Sequence, residues 1–226
     1  MISCLIFTKD NADRVIHLIK LVEKYVSEVV VICSDWECKR RIKYACPNTF
    51  LHYEEPRGYV EAYYKKGISI CHNDWILMLD DDETPSDNLL KSLLDFREYE
   101  DPISSVYLIK RFEKNGDTCY IPRFFHKDAV IVTGLIHRGI KPISPPLKLI
   151  GICYLAHNSE YSKEKSERFA KIEAAQYPQI IGDAAENSKA LQLFYFFVST
   201  FKRVLTAPNK KDTLIYCWHL LKELRK

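Results

Sequence analysis

Hydrophobic residues in the first half of the chain fall into short uninterrupted runs, separated by longer segments in which they recur every three or four positions. The runs ISCLIF, EVVVIC and WILML predict buried strands, and a fourth strand is predicted near residues 50–53. The segments between them predict helices over residues 11–25, 36–45 and 59–71. Uninterrupted apolar strands separated by helices indicate a mostly parallel sheet that is covered by helices on both faces.

A further helix is predicted to begin at Thr84, Pro85 and Ser86, with the proline in its first turn, and to run to about residue 97. The β-rich runs SSVYLIKRF, TCYIPRFFH, AVIVTG and LKLIGICYLAH follow, and the chain is predicted to be helical from about Ser162 onward, with breaks near Gly182 and at Pro208. We therefore expect an α/β domain over residues 1–180, with halves over 1–100 and 101–160, and a helical C-terminal extension over 181–226.

Composition narrows the class of protein. A chain of 226 residues that is 47% hydrophobic can bury a full core, and its net charge of +3 is too small to indicate a nucleic-acid partner. None of its eight cysteines are spaced as Cys-x-x-Cys, which disfavours a zinc site or a disulfide scaffold and indicates reduced thiols in a cytoplasm. The N-terminal residues lack the basic region of a signal peptide, and the most apolar stretch, Ala190 to Phe201, is shorter than the roughly 20 residues that cross a bilayer.

Four consecutive carboxylates, Asp80 to Glu83, directly follow the apolar run Trp75 to Leu79. In parallel sheets ligands bind outside the carboxyl ends of the strands, which is where these acids are predicted to lie. Asp80 and Asp82 form an Asp-x-Asp pair, and two such carboxylates suit a hard divalent cation, Mn²⁺ or Mg²⁺, whose shell a nucleotide diphosphate can complete. The alternative is a solvated acidic turn or negative charge at a helix N-terminus.

Several stretches resemble glycosyltransferase family 2, in the family's order. NDWILMLDDDETPSD resembles the central motif, ISCLIFTKDNADRV resembles the first strand with Thr8 and Asn11 in its loop, and EVVVICSDW resembles the second strand with its terminal Asp35. RGYVEAYYKKGIS resembles the loop that carries Gly58, although the usual Arg-Asn pair is replaced by Tyr64 and Lys65. YIPRFFHKDAVIVTGLIHRGIKP and YLAHNSEYSKEKSERFAKIEAAQY resemble a subgroup that includes lipopolysaccharide core heptosyl- and glucosyltransferases.

This resemblance implies the GT-A fold, a Rossmann-like nucleotide-sugar half joined to an acceptor half. It also implies inverting transfer of a sugar from a UDP-, GDP- or ADP-linked donor to a glycan or lipid-linked acceptor of the cell envelope, with Mn²⁺ or Mg²⁺ as cofactor. Asp82 is then expected to be the principal metal ligand, with Asp80 on the metal or the ribose and His157 as a further ligand. The residues expected to bind substrate are Thr8, Asn11, Asp35, Gly58, Lys65, Asp80, Asp81 and Arg123.

Three of these assignments have structural alternatives. His157 is a single histidine at no fixed ligand spacing, so a structural role competes with metal binding. Arg123 either contacts phosphate or braces a buried acid. Asp35 is placed to cap the helix that starts at Trp36, and that role is compatible with a contact to the nucleotide base.

The general base is not identified by the resemblance. The subgroup has a Glu after the His of its Gly-x-Ile-His-Glu pattern, whereas this chain has Arg138 after His137. A guanidinium cannot accept the proton but can bind phosphate. The remaining candidates are His137, Asp81 and Glu83, with a hydrogen-bonded core or turn histidine as the alternative for His137 and loss of activity as a further possibility.

The C-terminal extension combines aromatic residues with lysines in KALQLFYFFVSTFKRVL and TLIYCWHLLKELRK. This composition suits helices that lie on an anionic membrane, and the alternative is a tail packed on the body or on a second subunit. We therefore expect a cytoplasmic protein, and the two alternatives for its tail are peripheral contact with the inner face of the membrane and packing on the body or on a second subunit.

Two other functions compete with glycosyl transfer. LDDDET also resembles the nucleophile motif of haloacid-dehalogenase-like phosphatases, with Asp80 as nucleophile, Asp82 as acid/base and Thr84 behind them, but GDAAENS lacks the second Asp of the later acidic pair. The second alternative is a non-catalytic GT-A-like protein that binds nucleotide and has lost its base.

Overall fold

The computed structural model describes residues 1–96, 105–114, 116–148, 153–158, 162–181, 216–221 and 223. The chain divides into two compact units. The first comprises residues 1–134 and 138–159, and the second comprises residues 135–137 and 160–226. The domain boundary predicted at residue 180 stays a prediction.

The first unit is built on a parallel α/β half. Its strands and helices, in chain order, are β1 (Ile2–Thr8), α1 (Ala12–Val22), β2 (Glu28–Cys33), α2 (Trp36–Ala45), β3 (Phe50–Tyr53), a 3₁₀ turn (Val60–Tyr63), α3 (Tyr64–Ile70) and β4 (Trp75–Asp80). The strand order is β3-β2-β1-β4 with all neighbours parallel. The three apolar runs are buried on both faces, α1 and α2 packing on one face and α3 on the other, as the hydrophobic pattern predicts.

Side-chain caps set where the helices begin. Asn11 accepts a hydrogen bond from the Arg14 N–H at the start of α1, and Asp35 accepts one of 2.7 Å from the Cys38 N–H at the start of α2. The structural alternative for Asp35 is therefore confirmed. The single helix predicted over residues 59–71 is instead a 3₁₀ turn followed by the shorter α3.

The expectation that Pro85 lies in the first turn of a helix is wrong. Pro85 ends the short strand β5 (Glu83–Pro85), and Ser86 caps α4 (Asp87–Leu94) by accepting a hydrogen bond from the Leu89 N–H. β5 is the last strand in the sheet order, and a proline is tolerated on such an edge because it has no N–H to donate.

Four more strands of the described residues join the same sheet beyond β4. They are β6 (Val106–Glu113), β7 (Thr118–His126), β10 (Leu147–Lys148) and β11 (Tyr154–His157). The order continues β4-β7-β6-β11-β5, with β10 also pairing with β6, and β7 is antiparallel to both of its neighbours. Two short strands, β8 (Val130–Val132) and β9 (Ile140–Pro142), pair separately.

The second unit is helical in the part that is described. It contains α5 (Lys163–Ile181) and a helical segment over residues 216–221. Ala170, Cys217 and Leu220 form its small apolar core, and the Ile136 N–H donates a 2.9 Å hydrogen bond to the Gln176 side chain. The predicted breaks at Gly182 and Pro208 and the stretch Ala190 to Phe201 lie outside the described residues. Among the helices that the structure does describe, none has the length and apolar character needed to span a bilayer.

Candidate active site at the carboxyl rim of the sheet

The carboxyl ends of β1 and β4 lie side by side, and this places the acidic loop against the first loop of the chain. The Asp81 N–H donates a 3.1 Å hydrogen bond to the Phe7 carbonyl, and the Thr8 hydroxyl donates a 2.6 Å hydrogen bond to the Asp81 carboxylate. The Asn11 N–H lies 3.4 Å from the Thr8 hydroxyl oxygen. Burial raises the pKa of Asp81. Three of the sequence-predicted residues, Thr8, Asn11 and Asp81, are therefore brought together at this rim.

Arg123 lies at the centre of the acidic rim. It is buried on β7, and its guanidinium donates to Glu83 Oε1 from Nη2 at 2.8 Å and from Nε at 3.3 Å. The same guanidinium pairs with the Asp80 carboxylate and donates to the Tyr64 hydroxyl at 3.3 Å. Braced by these three groups, Arg123 takes the structural alternative that the sequence left open, and its contact with phosphate stays a prediction.

Glu83 is fully buried. Its Oε1 accepts from Arg123 and, at 3.1 Å, from Arg111, while its Oε2 accepts from the Asp80 N–H at 3.1 Å. Both oxygens are thus occupied in holding the acidic loop, and the role of Glu83 as a base stays a prediction.

The Asp80 carboxylate has one oxygen paired with Arg123 and one buried oxygen. Burial raises its pKa to about 7, although the adjacent Arg123 guanidinium acts in the opposite direction. Its Oδ1 is buried and has no hydrogen-bond partner among the described residues. Because buried polar atoms are nearly always satisfied, this oxygen is a candidate for contact with a ligand.

A second chain of contacts reaches Asp82. Arg111 Nε donates to Glu113 Oε1 at 2.7 Å, the other oxygen of Glu113 contacts His157 Nδ1, and His157 Nε2 lies 3.3 Å from Asp82 Oδ2. Burial would lower the pKa of His157, but hydrogen bonds to Asp82 and Glu113 outweigh it and raise the pKa to about 9. Burial would raise the pKa of Glu113, but its contacts with His157 and Arg111 lower the pKa to about 2.

The donor set fits a hard divalent cation that is shared with a diphosphate. Among the described residues no group of three or more His, Cys, Asp and Glu side chains is arranged to hold a metal by itself. Mg²⁺ and similar ions are usually bound by one or two carboxylates together with substrate phosphates, so a partial protein shell is what such a site requires. Asp82, His157 Nε2 and the unpartnered Oδ1 of Asp80 supply donors of the right kind.

The other predicted residues occupy different places. Gly58 has a φ of 83°, a conformation that favours glycine, in the loop before the 3₁₀ turn, and Lys65 is exposed on α3. The backbone carbonyl of Arg138 accepts from the Thr133 hydroxyl at 2.5 Å. His137 belongs to the second unit, where it has a φ of 58° and its ring packs edge-on against Phe169 and Tyr216.

Sequence reasoning missed Arg111 and Glu113. Both lie on β6, two residues apart and therefore on the same face, within a strand whose other residues include Val106, Tyr107 and Ile109 in the core. Two opposite charges at this spacing, in a strand that begins with four apolar residues, are a signal that a buried charged partner exists. The identity of that partner depends on strand pairing, which the local pattern does not contain.

The acidic residues thus lie at the carboxyl rim of a doubly wound, mostly parallel sheet, which is where such sheets bind their ligands. Residues 9–143, more than half of the chain, match the family described as Glycosyl transferase family 2. The chain therefore belongs to glycosyl transferase family 2 and is a glycosyltransferase. No curated protein sequence matches the chain.

Solved structures of similar fold include TarS from S. aureus. The crystal structure of TarS 1–349 has 12% sequence identity and a TM-score of 0.51, over 99% of this chain and 79% of that chain. A second crystal structure of TarS has 12% identity and a TM-score of 0.52, over 93% of this chain and 44% of that chain, so this chain spans less than half of the longer protein. TarS 1–349 in complex with UDP has 15% identity and a TM-score of 0.46, over 78% of this chain and 65% of that chain. The family match and the two TarS structures with TM-scores above 0.5 confirm the GT-A fold, and the lipopolysaccharide core subgroup stays a prediction.

Proposed function

We propose that this chain transfers a sugar, with inversion, from a nucleotide-sugar donor to a glycan or lipid-linked acceptor, and that the reaction requires Mn²⁺ or Mg²⁺. The observation that carries the proposal is the acidic rim, where Asp82 faces His157 and a buried oxygen of Asp80 has no partner among the described residues. This rim lies at the carboxyl ends of β1 and β4, where sheets of this type bind ligands.

Asp82 and His157 would hold the cation, with Asp80 as a further contact to the cation or to the ribose. A bound divalent cation offsets the negative charge that grows on the diphosphate as the sugar departs. The protein's own contribution is to fix the loop: Arg123 and Glu83 hold Asp80, and the Thr8 hydroxyl holds Asp81, so that the carboxylates do not have to reorganise when donor binds.

The remaining rim residues would bind the donor. Asp35 stands at the carboxyl end of β2 and would contact the nucleotide base while it continues to cap α2. Thr8 and Asn11 line the loop after β1, and Gly58 and Lys65 belong to the segment that precedes β4. UDP-, GDP- and ADP-linked sugars are the donors to test.

The base remains a choice between His137, Asp81 and Glu83, with Arg138 as a phosphate contact. Glu83 is engaged on both oxygens and Asp81 accepts from Thr8, whereas His137 belongs to the second unit and its ring packs edge-on against Phe169 and Tyr216. A positioned base contributes about 10²–10⁴ in rate, so the base candidates can be separated by substitution.

Because residues 9–143 match glycosyl transferase family 2, the phosphatase alternative is not retained. A non-catalytic GT-A-like protein is separated from the enzyme by experiment: it would bind nucleotide with Mn²⁺ and transfer no sugar to any acceptor. A cytoplasmic location with peripheral membrane contact through the C-terminal residues belongs to the same proposal, since a lipid-linked acceptor would lie at that surface.

Thermal-shift screening of UDP-, GDP- and ADP-sugars with Mn²⁺ or Mg²⁺ tests the donor site. A donor at about 100 times its Kd adds about 2.7 kcal/mol, which raises the Tm of a chain of this size by roughly 5–10 °C. We expect one nucleotide class to stabilise the wild-type protein and to leave Asp82→Ala unshifted. Equal stabilisation of both proteins, or none of the wild type, would contradict the proposal.

A further inference from the structure

We propose that Glu113 is a positioning residue that fixes the ring orientation and tautomer of His157 toward the cation site, and that Arg111 ties this arrangement to Glu83. The inference rests on the proposed metal-dependent function and goes further by giving β6 a role in the site. The rim network is defined by these residues: Asp80, Asp82, Glu83, Arg111, Glu113, Arg123 and His157.

Strand register, rather than a flexible loop, brings the members of this network together. β11 pairs in parallel with β6, and His157 lies directly opposite Glu113. β11 also pairs antiparallel with β5, and His157 lies opposite Glu83. His157 at the end of β11 is therefore flanked by Glu83 on one neighbouring strand and by Glu113 on the other. Strand pairing on both sides fixes the position of its Cα independently of the side-chain contacts.

The contacts assign different roles to the two ring nitrogens. Glu113 contacts Nδ1, and a carboxylate at that nitrogen favours the tautomer in which Nδ1 carries the proton and donates it. Nε2 lies on the opposite side of the ring, 3.3 Å from Asp82 Oδ2, and once its proton has left it would present its lone pair to a cation held there. Histidines that ligate metals have this arrangement, with the other ring nitrogen donating to a carboxylate.

Arg111 gives Glu113 a fixed position in turn. Arg111 is four-fifths buried, and it donates to Glu113 Oε1 at 2.7 Å and to Glu83 Oε1 at 3.1 Å. Because Glu83 also accepts from Arg123, which pairs with Asp80, the same network reaches Asp80 at one end and Asp82 at the other. Both carboxylates of the Asp-x-Asp pair are thus positioned by one set of strand residues.

Formal charge agrees with a cation at this place. The network contains four carboxylates and two guanidinium groups, so its formal charge would be −2 once a cation has displaced the Nε2 proton of His157. A divalent cation would bring this sum to zero, and it would take the side of His157 that faces Asp82. On the opposite side of the ring, Glu113 would accept a hydrogen bond from Nδ1–H.

Mn²⁺ binding tests the proposal without relying on activity. The electron paramagnetic resonance signal of free Mn²⁺ is measured as full-length protein is titrated, with Mn²⁺ alone and with inorganic pyrophosphate as a diphosphate probe. Outer partners of metal ligands contribute about 10- to 100-fold in affinity, so we expect Glu113→Ala to raise the Kd for Mn²⁺ by that factor. Glu113→Gln, whose amide oxygen still accepts from Nδ1–H, is expected to show a smaller loss.

The matched control is Glu28→Gln. Glu28 also contacts a histidine ring, His72, with an oxygen-to-Nδ1 distance of 2.7 Å, but it lies at the start of β2 and has no contact with the rim network. We expect this variant to lower the stability of the fold and to leave the Kd for Mn²⁺ unchanged. It therefore separates a general loss of stability from a loss of ring positioning.

The tautomer of His157 gives a second readout. In nitrogen-15 spectra of the Mg²⁺-loaded protein, with His157→Gln used for assignment, the wild type is expected to show Nδ1 protonated and Nε2 shifted by the cation. Glu113→Ala is expected to show mixed tautomers. If the wild type binds Mn²⁺ and folded Glu113→Ala binds it equally with the same tautomer, the role of Glu113 is overturned while the proposed function stands. If the wild type binds no Mn²⁺ under either condition, both are overturned.

Discussion

Two largely buried carboxylates, one at the amino ends of the parallel strands and one at their carboxyl ends, have pKa values shifted in opposite directions. At the amino end of β2, Glu28 accepts hydrogen bonds from the His72 N–H at 2.6 Å and the His72 ring at 2.7 Å, from the Asn73 N–H at 3.4 Å, and from the Ser3 hydroxyl. Burial would raise its pKa, but these hydrogen bonds lower it. At the carboxyl end of β4, burial raises the pKa of Asp80 to about 7, and one of its oxygens has no partner among the described residues.

This difference separates a structural carboxylate from a candidate functional one within a single sheet. Glu28 is satisfied by the chain itself, so its hydrogen bonds hold the β2 and β4 ends of the sheet together. Asp80 is partly exposed, but its Oδ1 is buried and unsatisfied among the described residues, and such groups cluster at sites that bind ligands. Substitutions at the amino end should therefore change stability, and substitutions at the carboxyl rim should change cation and donor binding.

The largest expected effect on the fold comes from Arg123, which braces Glu83, Asp80 and Tyr64 at the rim. Arg123→Ala leaves Glu83 buried without its main partner, and removal of one member of a buried ion pair costs about 3–5 kcal/mol. Urea unfolding should show a loss of this size. As a control, adding Glu83→Gln to Arg123→Ala should recover part of it because no uncompensated charge stays buried. A loss below about 1 kcal/mol for Arg123→Ala would contradict the brace.

The next effect concerns the cation. His157→Ala removes a proposed ligand, so the Mn²⁺ concentration for half-maximal activity should rise by at least about 100-fold. His52→Ala is the matched control, since His52 also contacts a glutamate, Glu54, at 3.0 Å and lies outside the rim network. An unchanged Mn²⁺ dependence in His157→Ala would remove His157 from the site.

Which of these features can be predicted from the sequence depends on how far apart along the chain the interacting residues lie. The strands β1, β2 and β4, the cap at Asp35 and the acidic rim all follow from local patterns, because an apolar run and the polar residue that ends it are adjacent in the chain. Asp80 and Asp82 could therefore be placed at a sheet edge from the sequence alone.

The residues that contact these acids could not be predicted from the sequence. Glu113 and His157 lie 44 positions apart in sequence, and Arg123 and Glu83 lie 40 apart. They meet only because β7, β6, β11 and β5 pair in that order, with β7 antiparallel. Neither the order nor the register of these strands is encoded in local periodicity, which explains why Arg111 and Glu113 were missed and why Pro85 was assigned to a helix.

A smaller effect is expected at the amino end. Glu28→Gln replaces a charged acceptor with a neutral one, and hydrogen bonds to charged groups contribute about 1.5–3 kcal/mol, so the free energy of unfolding should fall by up to that amount. Activity per folded molecule should be unchanged, because Glu28 has no contact with the rim network. A loss of turnover without a loss of stability would contradict the comparison.

The smallest expected effect is the pH dependence of the contribution that Glu28 makes to stability. The folded-state pKa of Glu28 lies below its usual value, so its contribution to stability is fully present above the unfolded pKa of about 4.3 and is lost as the pH falls through the folded pKa. The difference in unfolding free energy between wild type and Glu28→Gln should be constant from pH 7 to about 5 and should shrink below about pH 4. A difference that grows in acid would have the wrong sign.

The central claim is that the carboxyl rim binds a catalytic cation, and it is tested most directly by following donor turnover through removal and return of Mn²⁺. With the donor found by thermal shift, wild-type activity should be lost in EDTA and restored by excess Mn²⁺. Loss of a positioned electrostatic group costs about 10²–10³ in kcat, so Asp82→Ala should be slower by that factor at saturating Mn²⁺ while its Tm stays near the wild-type value. Full wild-type activity in EDTA, or wild-type kcat in Asp82→Ala, would contradict the claim.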